Sequence, residues 1–360
     1  MYDYFAIVPP GLEKIAEEEL QRLSAHETKV EYGGVAFQGS TETMFRIHLR
    51  ARTITRVLLR LKTFKAFSFP ELFNKLGRIH WHQYLAKDAT VNVCASTDKS
   101  TLQHTGRVEQ VVCDALDRPL TSLDAQQTIY VRIEHDVCQI SLDCSGRRLD
   151  QRGYRLQAVK APLRESIAAA LIHWGDWKPT QSLIVPGCGS GTIAIEAAQI
   201  AQKMGAGLQH EFPFIHWTSF KEKRWLKIKT TVEKMFQADV EVSIEASDVA
   251  PQALAISKNN AKRAGVTDII QWQRMNMLEM HPKKDAKNGL IICNPPYNHR
   301  IPADTSALYA GLGRACREHF EGWTVIVLCP DTKTTRSLGM PIKDTLTFLS
   351  GGKKVVAVKL

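Results

Sequence analysis

The sequence predicts an α/β protein whose C-terminal part is a doubly wound, mostly parallel sheet that ends in an antiparallel hairpin. Three observations support this fold class. After residue 162, short apolar runs alternate with helical segments, which is the order of β-α-β units. A Gly-x-Gly-x-Gly turn joins one of these apolar runs to a helix. The final segment, TLTFLSGGKKVVAVKL, is typical of two strands joined at Gly351-Gly352.

The composition is that of a globular protein with a basic surplus. Of the 360 residues, 44% are hydrophobic and 23% are charged, which excludes wholesale disorder, and the length suggests two or three domains. The 47 Lys and Arg residues against 37 Asp and Glu residues favour a polyanionic partner such as nucleic acid. No run approaches the roughly 20 apolar residues that cross a bilayer. The first residues also lack the basic flank of a signal peptide.

The eight cysteines are scattered along the chain without a CxxC pair. This spacing argues against a zinc site and against a disulfide framework, and it favours a reducing compartment. We therefore predict a cytoplasmic protein without a bound metal.

The first 145 residues are expected to form a small α/β module. An apolar strand at residues 4–8 precedes a helix whose apolar positions run from Leu12 to Leu23, and Gly33-Gly34 turns into a return strand. The other elements predicted for this module are helices over 46–65, 68–85 and 106–117 and strands over 90–95 and 127–142.

The segment RIHLRARTITRVLLRLKTFK, residues 46–65, contains seven basic residues and no acidic one. Its apolar spacing predicts a helix with the arginines on the opposite side. Two interpretations are open, a solvated helix face or a surface that contacts nucleic-acid phosphates. We adopt the second as the prediction for Arg50, Arg52 and Arg56.

A polar, basic segment, SGRRLDQRGYRLQAVK, follows at residues 145–160 and lacks an apolar period. We interpret it as the linker between two domains and expect Arg147, Arg148 and Arg152 to contact nucleic acid as well. An Ala-rich helix over 162–174 then opens the second domain. Its predicted strands lie at 182–185, 240–246, 269–272, 290–293 and 324–329.

The glycine turn lies in the segment SLIVPGCGSGTIAIEAAQIA, between a buried strand and a helix. Glycines are needed there because the backbone must turn tightly and approach a ligand without an intervening Cβ. By itself this turn could hold a dinucleotide, an adenosyl group or nothing. Dinucleotide folds place an acidic ribose ligand about 20 residues on, whereas here the next strand ends at Asp248, some sixty residues later. Asp248 is a candidate for a ribose diol, for capping the helix near Pro251, or for both.

The strand GLIIC ends in Asn294-Pro295-Pro296-Tyr297. Two consecutive prolines make a rigid, extended turn. The Asn294 side-chain oxygen and the Pro295 carbonyl can each accept a hydrogen bond from the exocyclic amine of a nucleobase, while Tyr297 stacks on the ring. Such acceptors localise the amine lone pair, and holding the reacting atoms near 3 to 3.5 Å supplies the rest of the catalysis. An ordinary Pro-rich loop is the structural alternative.

Segments along nearly the whole chain resemble the bacterial THUMP-domain guanine-N2 RNA methyltransferases, above all those that modify 23S ribosomal RNA, with transfer-RNA enzymes next. They include FAIVPPGLEKIAEEEL, SLDCSGRRLDQRGYR, CGSGTIAIEAA and NPPYNHR. The resemblance implies a ferredoxin-like part at 1–60, a THUMP RNA-binding domain at 61–145, a linker at 146–161 and a Rossmann-like methyltransferase domain at 162–360. It also implies S-adenosylmethionine as cofactor and RNA as partner.

The same resemblance implies roles for individual residues. Asn294, Pro295, Pro296 and Tyr297 would hold the target guanine. The implied cofactor-binding residues are Ala161, Pro162 and Leu163 at the pocket entry, Pro186, Gly187, Cys188, Gly189, Ser190, Gly191 and Thr192 around the methionine end, Asp248 and Val249 at the ribose, and Asn276 and Met277 beside the adenine.

Three positions depart from the family pattern. Val185 stands where the family has an Asp that neutralises the methionine ammonium, Asn276 where an Asp is common, and Asn298 where NPPYG has glycine. Two other functions stay open at this stage. One is an adenine-N6 methyltransferase, since NPPY also serves that amine. The other is a non-catalytic RNA-binding protein with a degenerate cofactor site, which Val185 would favour.

Overall fold

The structure is a computed structural model, and it describes residues 1–121, 125–158, 162–296 and 305–360. Ala161, Tyr297 and Asn298, all singled out in the sequence, lie outside the described residues. The strands are β1 (Tyr2–Ile7), β2 (His26–Glu31), β3 (Gly34–Gly39), β4 (Arg56–Lys65), β5 (Val91–Asp98), β6 (Gln127–Glu134), β7 (Val137–Asp143), β8 (Ser182–Pro186), β9 (Ile244–Asp248), β10 (Ile270–Arg274), β11 (Gly289–Cys293), β12 (Thr324–Cys329), β13 (Asp344–Ser350) and β14 (Lys353–Lys359). The α-helices are α1 (Glu13–Arg22), α2 (Thr41–Arg50), α3 (Phe69–Leu76), α4 (Thr105–Leu116), α5 (Glu165–Trp174), α6 (Thr192–Ala201), α7 (Glu222–Glu233), α8 (Pro251–Arg263), α9 (Thr305–His319) and α10 (Thr332–Arg336).

The N-terminal module is built on one continuous sheet in the order β2-β3-β1-β4-β7-β6-β5. All neighbouring strands in it are antiparallel except β5 and β6, which run parallel. The predicted division between residues 60 and 61 falls inside β4. The first two units therefore share a sheet, because β4 pairs with β1 on one side and with β7 on the other.

The helix predicted over 46–65 is wrong. Ser40 caps α2 through a hydrogen bond from the backbone N–H of Thr43, and the helix ends at Arg50. The chain then extends into β4, where Val57 and Leu59 are buried. The helical spacing was misleading because ladder hydrogen bonds to two neighbouring strands outweigh a weak local preference. The helix predicted over 68–85 is also shorter, since α3 ends at Leu76.

The second domain confirms the predicted fold class. Its sheet has the order β10-β9-β8-β11-β12-β14-β13. The strands from β10 to β12 run parallel, and β14 and β13 form the antiparallel edge hairpin. Successive strands extend the sheet outward from β8 in one direction and from β11 in the other. The switch point of this doubly wound sheet therefore lies between β8 and β11, where such folds bind their ligands.

The segment between α6 and β9 explains the long spacing from the glycine turn to Asp248. It carries aromatic residues that pack on α2 of the N-terminal module. The ring of Phe45 lies 5.1 Å from that of Phe214 and 5.2 Å from that of Trp225, measured between centroids. The Trp217 indole N–H donates to Gln127 Oε1 over 2.7 Å. The insertion therefore joins the two parts of the molecule.

A buried ionic network makes a second connection between them. Glu196 on α6 is fully buried, and its Oε2 lies 2.8 Å from a guanidinium nitrogen of Arg52. Its Oε1 accepts the Tyr154 hydroxyl over 3.0 Å and lies 3.6 Å from Arg152 Nε. The prediction that Arg52 and Arg152 contact nucleic acid is wrong, since both side chains are about 95% buried or more and balance a carboxylate inside the protein.

The other four arginines predicted to contact nucleic acid differ in burial and in their partners. Arg56 is largely buried, pairs with Asp143 and donates to the Gly146 carbonyl over 2.7 Å, which contradicts the proposed phosphate contact. Arg148 is half-buried and forms two hydrogen bonds to the Asp150 carboxylate. Arg50 is half-buried at the end of α2, and Arg147 is exposed. Of the six arginines, Arg147 is thus the most accessible to a nucleic acid.

Candidate active site

Two short segments meet at the carboxyl edge of the catalytic sheet. The glycine turn follows β8, and the Asn294-Pro295-Pro296 corner follows β11. The two strands pair in parallel with Ile184 opposite Ile291, so their ends lie side by side. Cys293 Sγ lies 3.8 Å from the carbonyl oxygen of Pro186, which joins the last residue of one strand to the last residue of the other.

One cavity of about 780 Å³ is shared by the turn and the corner. Methyl transfer requires this arrangement, because an amine acceptor far from the glycine turn could not hold an amine beside a methyl donor bound there. The predicted residues that line it are Pro162, Leu163, Gly187, Cys188, Gly189, Ser190, Thr192, Asp248, Val249, Asn276, Met277, Asn294, Pro295 and Pro296.

The glycine turn has a backbone that only glycine adopts without strain. Gly187 has φ +65° and Gly191 has φ +81°. A Cβ at Gly187 would lie 2.8 Å from Met277 Cε, and a Cβ at Gly191 would lie 2.8 Å from Ser257 Cβ. The turn is therefore pressed against the residues around it, and its backbone forms the wall of the cavity. Pro186 ends β8 directly before the turn.

Asp248 is held by two backbone N–H groups. Its Oδ2 accepts from Gly189 over 3.0 Å and its Oδ1 accepts from Ala250 over 3.0 Å. Ala250 precedes α8, so Asp248 closes the turn that leads into that helix as well as lining the cavity. Each carboxylate oxygen keeps a further lone pair for a ligand. The geometry therefore leaves Asp248 able to bind a ribose diol. It does not make Asp248 the cap of α8, because the N-cap is Ala250 and the helix has no side-chain cap.

On the side of β9 and β10, the cavity is lined by apolar side chains and by one amide side chain. Met275, Met277 and Leu278 line it, and Val249 lies on the rim with 56% of its surface exposed. Asn276 caps a short 3₁₀ turn, its Oδ1 accepting from the backbone N–H of Leu278 over 3.1 Å. A flat apolar ring system fits this wall, and the Asn276 amide offers a polar group at its edge.

At the opposite end, the Asn294 side-chain oxygen is buried without a hydrogen-bond partner among the described residues. A buried acceptor left unpaired costs about 1–3 kcal/mol. Pro295 beside it is buried and brings no N–H. The oxygen thus lacks a donor among the described residues, and the residue that carries it lines the cavity, as predicted for an amine-binding corner.

The two cysteines at the site are not suited to nucleophilic catalysis. Burial, with a smaller effect from Asp248, raises the pKa of the Cys188 thiol to about 12. Burial also raises the pKa of Cys293 well above its usual value. Both thiols stay protonated near neutral pH, and the thiolate is the reactive form.

Several lining residues were not found from the sequence. Val185 on β8 lines the cavity and is almost fully buried, so no carboxylate stands at that position. Arg164, the residue after the entry motif, also lines the cavity. Its position next to Leu163 in the sequence could have indicated this role. Ser350, Gly351 and Lys353 come from the C-terminal hairpin. No motif in the sequence indicates that a hairpin sixty residues after the Asn-Pro-Pro corner returns to it.

Comparisons with known proteins identify the chain. Residues 152–343 match the RMKL-like methyltransferase domain, residues 3–58 the RlmL ferredoxin-like domain and residues 66–143 the THUMP domain. A "Putative RNA methyltransferase slr0064" from Synechocystis is 32% identical, over 99% of this chain and 96% of the relative. The chain belongs to the RMKL-like methyltransferase family. Another relative, the "Ribosomal RNA large subunit methyltransferase K/L" of Psychromonas ingrahamii, is 31% identical over 98% of this chain and 49% of its own length.

Two solved structures resemble this RMKL-like methyltransferase along its whole length. SMU.472, "a putative methyltransferase complexed with SAH", gives a TM-score of 0.91 at 26% identity and covers 100% of this chain and 97% of its own. A "predicted N6-adenine-specific DNA methylase" from Listeria monocytogenes gives 0.90 at 29% identity and covers 99% and 95%. The methyl donor of this family is S-adenosylmethionine, and the cavity has the features that this cofactor requires. These features are a glycine-rich turn, a carboxylate and an apolar wall. Within the described ranges, no helix is both long and apolar enough to cross a membrane.

Replacing Gly191 by alanine is expected to weaken S-adenosylmethionine binding about tenfold, which corresponds to about 1.4 kcal/mol. The new methyl group would meet Ser257 at 2.8 Å and push the turn into the cavity. Isothermal titration calorimetry measures the loss. Gly265→Ala is the matched control, because Gly265 also has positive φ (+72°) but a Cβ there meets nothing within 4 Å. Equal affinities for the two variants would contradict the role of the turn.

Proposed function

We propose that this RMKL-like methyltransferase methylates the exocyclic N2 amine of a guanine in structured RNA, most directly 23S ribosomal RNA. The observation that carries the proposal is that Asn294, whose side-chain oxygen is buried without a hydrogen-bond partner among the described residues, lines the same cavity as the glycine turn. An amine donor would satisfy this oxygen, and no charged partner is required.

When bound, S-adenosylmethionine supplies an electrophilic methyl group. The residues that would hold it are the glycine turn at the methionine end, Asp248 and Val249 at the ribose, and Asn276 and Met277 around the adenine. Asn294 Oδ1 and the Pro295 carbonyl would each accept a hydrogen bond from one N–H of the amine and so hold the nitrogen lone pair toward the glycine turn. Pro162 and Leu163 would close the entry and exclude water. Catalysis here is positioning in a dry cavity.

RNA as the substrate is supported by the N-terminal module. Its sheet contains the regions that match the RlmL ferredoxin-like and THUMP domains, and the chain carries a net charge of +10. We propose that residues 1–145 bind structured RNA and that residues 162–360 perform the transfer, with 146–161 as the linker. Because the reacting amine lies inside a base stack, the target nucleotide must leave the stack to enter the cavity.

Guanine is proposed over adenine on the strength of the whole-chain resemblance. Both bases carry an exocyclic amine that the Asn-Pro-Pro corner could accept, and the Listeria structure carries the name of an adenine DNA methylase. The relatives named as RNA enzymes share the N-terminal modules as well as the catalytic domain, with matches over 98–99% of this chain. These modules favour an RNA substrate, but they do not decide the base, because the Listeria structure matches over 99% of this chain as well. The choice of guanine therefore rests on the resemblance of the sequence motifs.

Mass spectrometry of RNA nucleosides from cells with and without the gene tests this function. We expect N2-methylguanosine in ribosomal RNA to fall in the deletion strain and to return with the wild-type gene but not with an Asn294→Ala gene. A loss of N6-methyladenosine instead would replace guanine by adenine as the target. Unchanged levels of every methylated nucleoside would refute RNA methylation.

A second candidate function rests on Val185. Without a carboxylate at that position the methionine ammonium lacks a partner, and the chain could act as a non-catalytic RNA-binding protein. Calorimetry of the wild-type protein separates the two possibilities. Binding of S-adenosylmethionine below millimolar concentration supports the enzyme, and no detectable binding at millimolar concentration supports the non-catalytic protein.

A further inference from the structure

The C-terminal hairpin ends in a two-residue turn beside the active-site cavity. Gly351 and Gly352 have φ of +58° and +78°, and Ser350 pairs with Lys353 across them. We call residues 350–354 the hairpin tip. Since β14 pairs antiparallel with β12 and Cys329 lies opposite Val356, the tip extends past the carboxyl end of β12. The Asn294 corner follows the next strand, β11, at the same edge of the sheet.

The two lysines of the hairpin tip are exposed but lie on different faces of β14. Lys353 lines the cavity together with Ser350 and Val355, whereas Lys354 does not. This follows from the alternation of side chains along a strand, because Val355 shares the face of Lys353 and Lys354 takes the other. Two neighbouring residues of equal charge and similar exposure thus differ in whether they reach the site.

The hairpin is also in contact with the N-terminal module. The backbone N–H of Leu349 donates to the Pro10 carbonyl over 2.9 Å. The next residue, Gly11, packs against β13 so closely that a Cβ there would lie 1.9 Å from the Thr347 carbonyl oxygen. The strand that leads into the hairpin tip therefore contacts the N-terminal module, while the tip itself lines the cavity. We expect RNA held by that module to approach the cavity along this hairpin.

The charges around the cavity favour an anion at this end. Among the described residues, the charged side chains that line it are Arg164, Lys353 and Asp248. Asp248 lies on the β9 side and is engaged by the backbone of Gly189 and Ala250. Within the part of the chain that the structure describes, Lys353 forms no ion pair with a carboxylate. An exposed ammonium beside a cavity and without a carboxylate is suited to bind phosphate.

We infer that Lys353 is an RNA-contact residue that binds a backbone phosphate flanking the target nucleotide and so guides its base into the cavity. This inference rests on the proposed function for the nucleic acid, and it adds how the catalytic domain recognises the nucleotide. Lys354, on the opposite face, takes no part. The base is recognised by the Asn294 corner, and the phosphate contact is independent of which base is bound.

The test compares Lys353→Gln with Lys354→Gln, using guanosine 3′,5′-bisphosphate and guanosine as probes. The bisphosphate carries both phosphates that flank a nucleotide in RNA. Affinities are measured by NMR titration of the full-length protein saturated with S-adenosylhomocysteine. We expect the wild type and Lys354→Gln to prefer the bisphosphate by about two- to fivefold, as for an exposed charge pair, and Lys353→Gln to lose that preference. Both lysines are exposed, so both variants are expected to fold.

Two outcomes would overturn the inference. One is a preference for the bisphosphate that persists in Lys353→Gln or is lost equally in both variants. The other is a wild type that shows no preference, whether it binds both probes alike or neither. A parallel titration with adenosine 3′,5′-bisphosphate tests the proposed function separately. Tighter binding of the adenine compound would refute guanine as the target, whereas the effect of Lys353 on the phosphate preference would still decide the inference.

Discussion

Replacing Asn294 by alanine is expected to lower the turnover number for methyl transfer by about 10²–10³-fold, the range found when one preorganised hydrogen-bonding group is removed from an active site. RNA affinity is expected to change less than about twofold, because the proposed function assigns RNA binding mainly to the N-terminal module. The oxygen of Asn294 is buried without a partner among the described residues. The alanine variant therefore has no unpaired acceptor at this position, and the exocyclic amine of the proposed target base loses the group that orients it.

The rate of transfer of a radiolabelled methyl group to an excess of unmodified 23S ribosomal RNA transcript gives the turnover number. Filter binding gives the RNA affinity. Asn288→Ala is the matched control, because Asn288 is exposed and precedes β11, whereas Asn294 follows it. The control should keep wild-type turnover. If Asn294→Ala reduced RNA affinity as much as turnover, the corner would be structural and not part of the chemistry.

Replacing Glu196 by alanine is expected to lower the free energy of unfolding by about 3–5 kcal/mol, as when one partner of a buried ion pair is removed. Arg52 and Arg152 would then stay buried without a counter-charge, and Tyr154 would lose its acceptor. Because Glu196 lies on α6, one turn after Thr192 at the cavity, S-adenosylmethionine affinity should fall as well.

Urea denaturation followed by circular dichroism gives the free energy of unfolding. Glu18→Ala is the control. Glu18 pairs with Arg22 one turn along α1, and both side chains are more than half exposed, so the loss should stay within about 1 kcal/mol. Similar losses for the two variants would mean that the network around Glu196 contributes no more than a surface ion pair.

Much of the catalytic domain could be predicted because its signals are local. The strand before Gly187, the three glycines and the helix after them form a pattern in which backbone geometry demands specific residues. The terminal hairpin was predicted from Gly351-Gly352 between two apolar runs, and the structure has that hairpin at β13 and β14. In each case a positive φ or a buried strand leaves a signature in a few neighbouring residues.

The basic segment at 46–65 shows where local patterns fail. Its apolar spacing fits a helix, but the segment forms the second half of α2 and then β4. β4 pairs with β1 on one side and with β7 on the other. Nothing in the segment reveals that Glu196, 144 residues beyond Arg52, supplies the counter-charge. The sequence does not distinguish a buried arginine from a solvated one. The difference depends on where the carboxylate that supplies the counter-charge lies in the folded structure.

By itself, the sequence determined the fold class, the family resemblance and the two motifs that line the cavity, since these depend on residues close together in the chain. Among the described residues, the tertiary structure alone decided which charges are paired, that the Asn294 oxygen is buried without a partner and that Lys353 lines the same cavity. Those properties depend on which distant groups lie within a few ångströms, and burial and electrostatic pairing are set by that distance and not by separation along the chain.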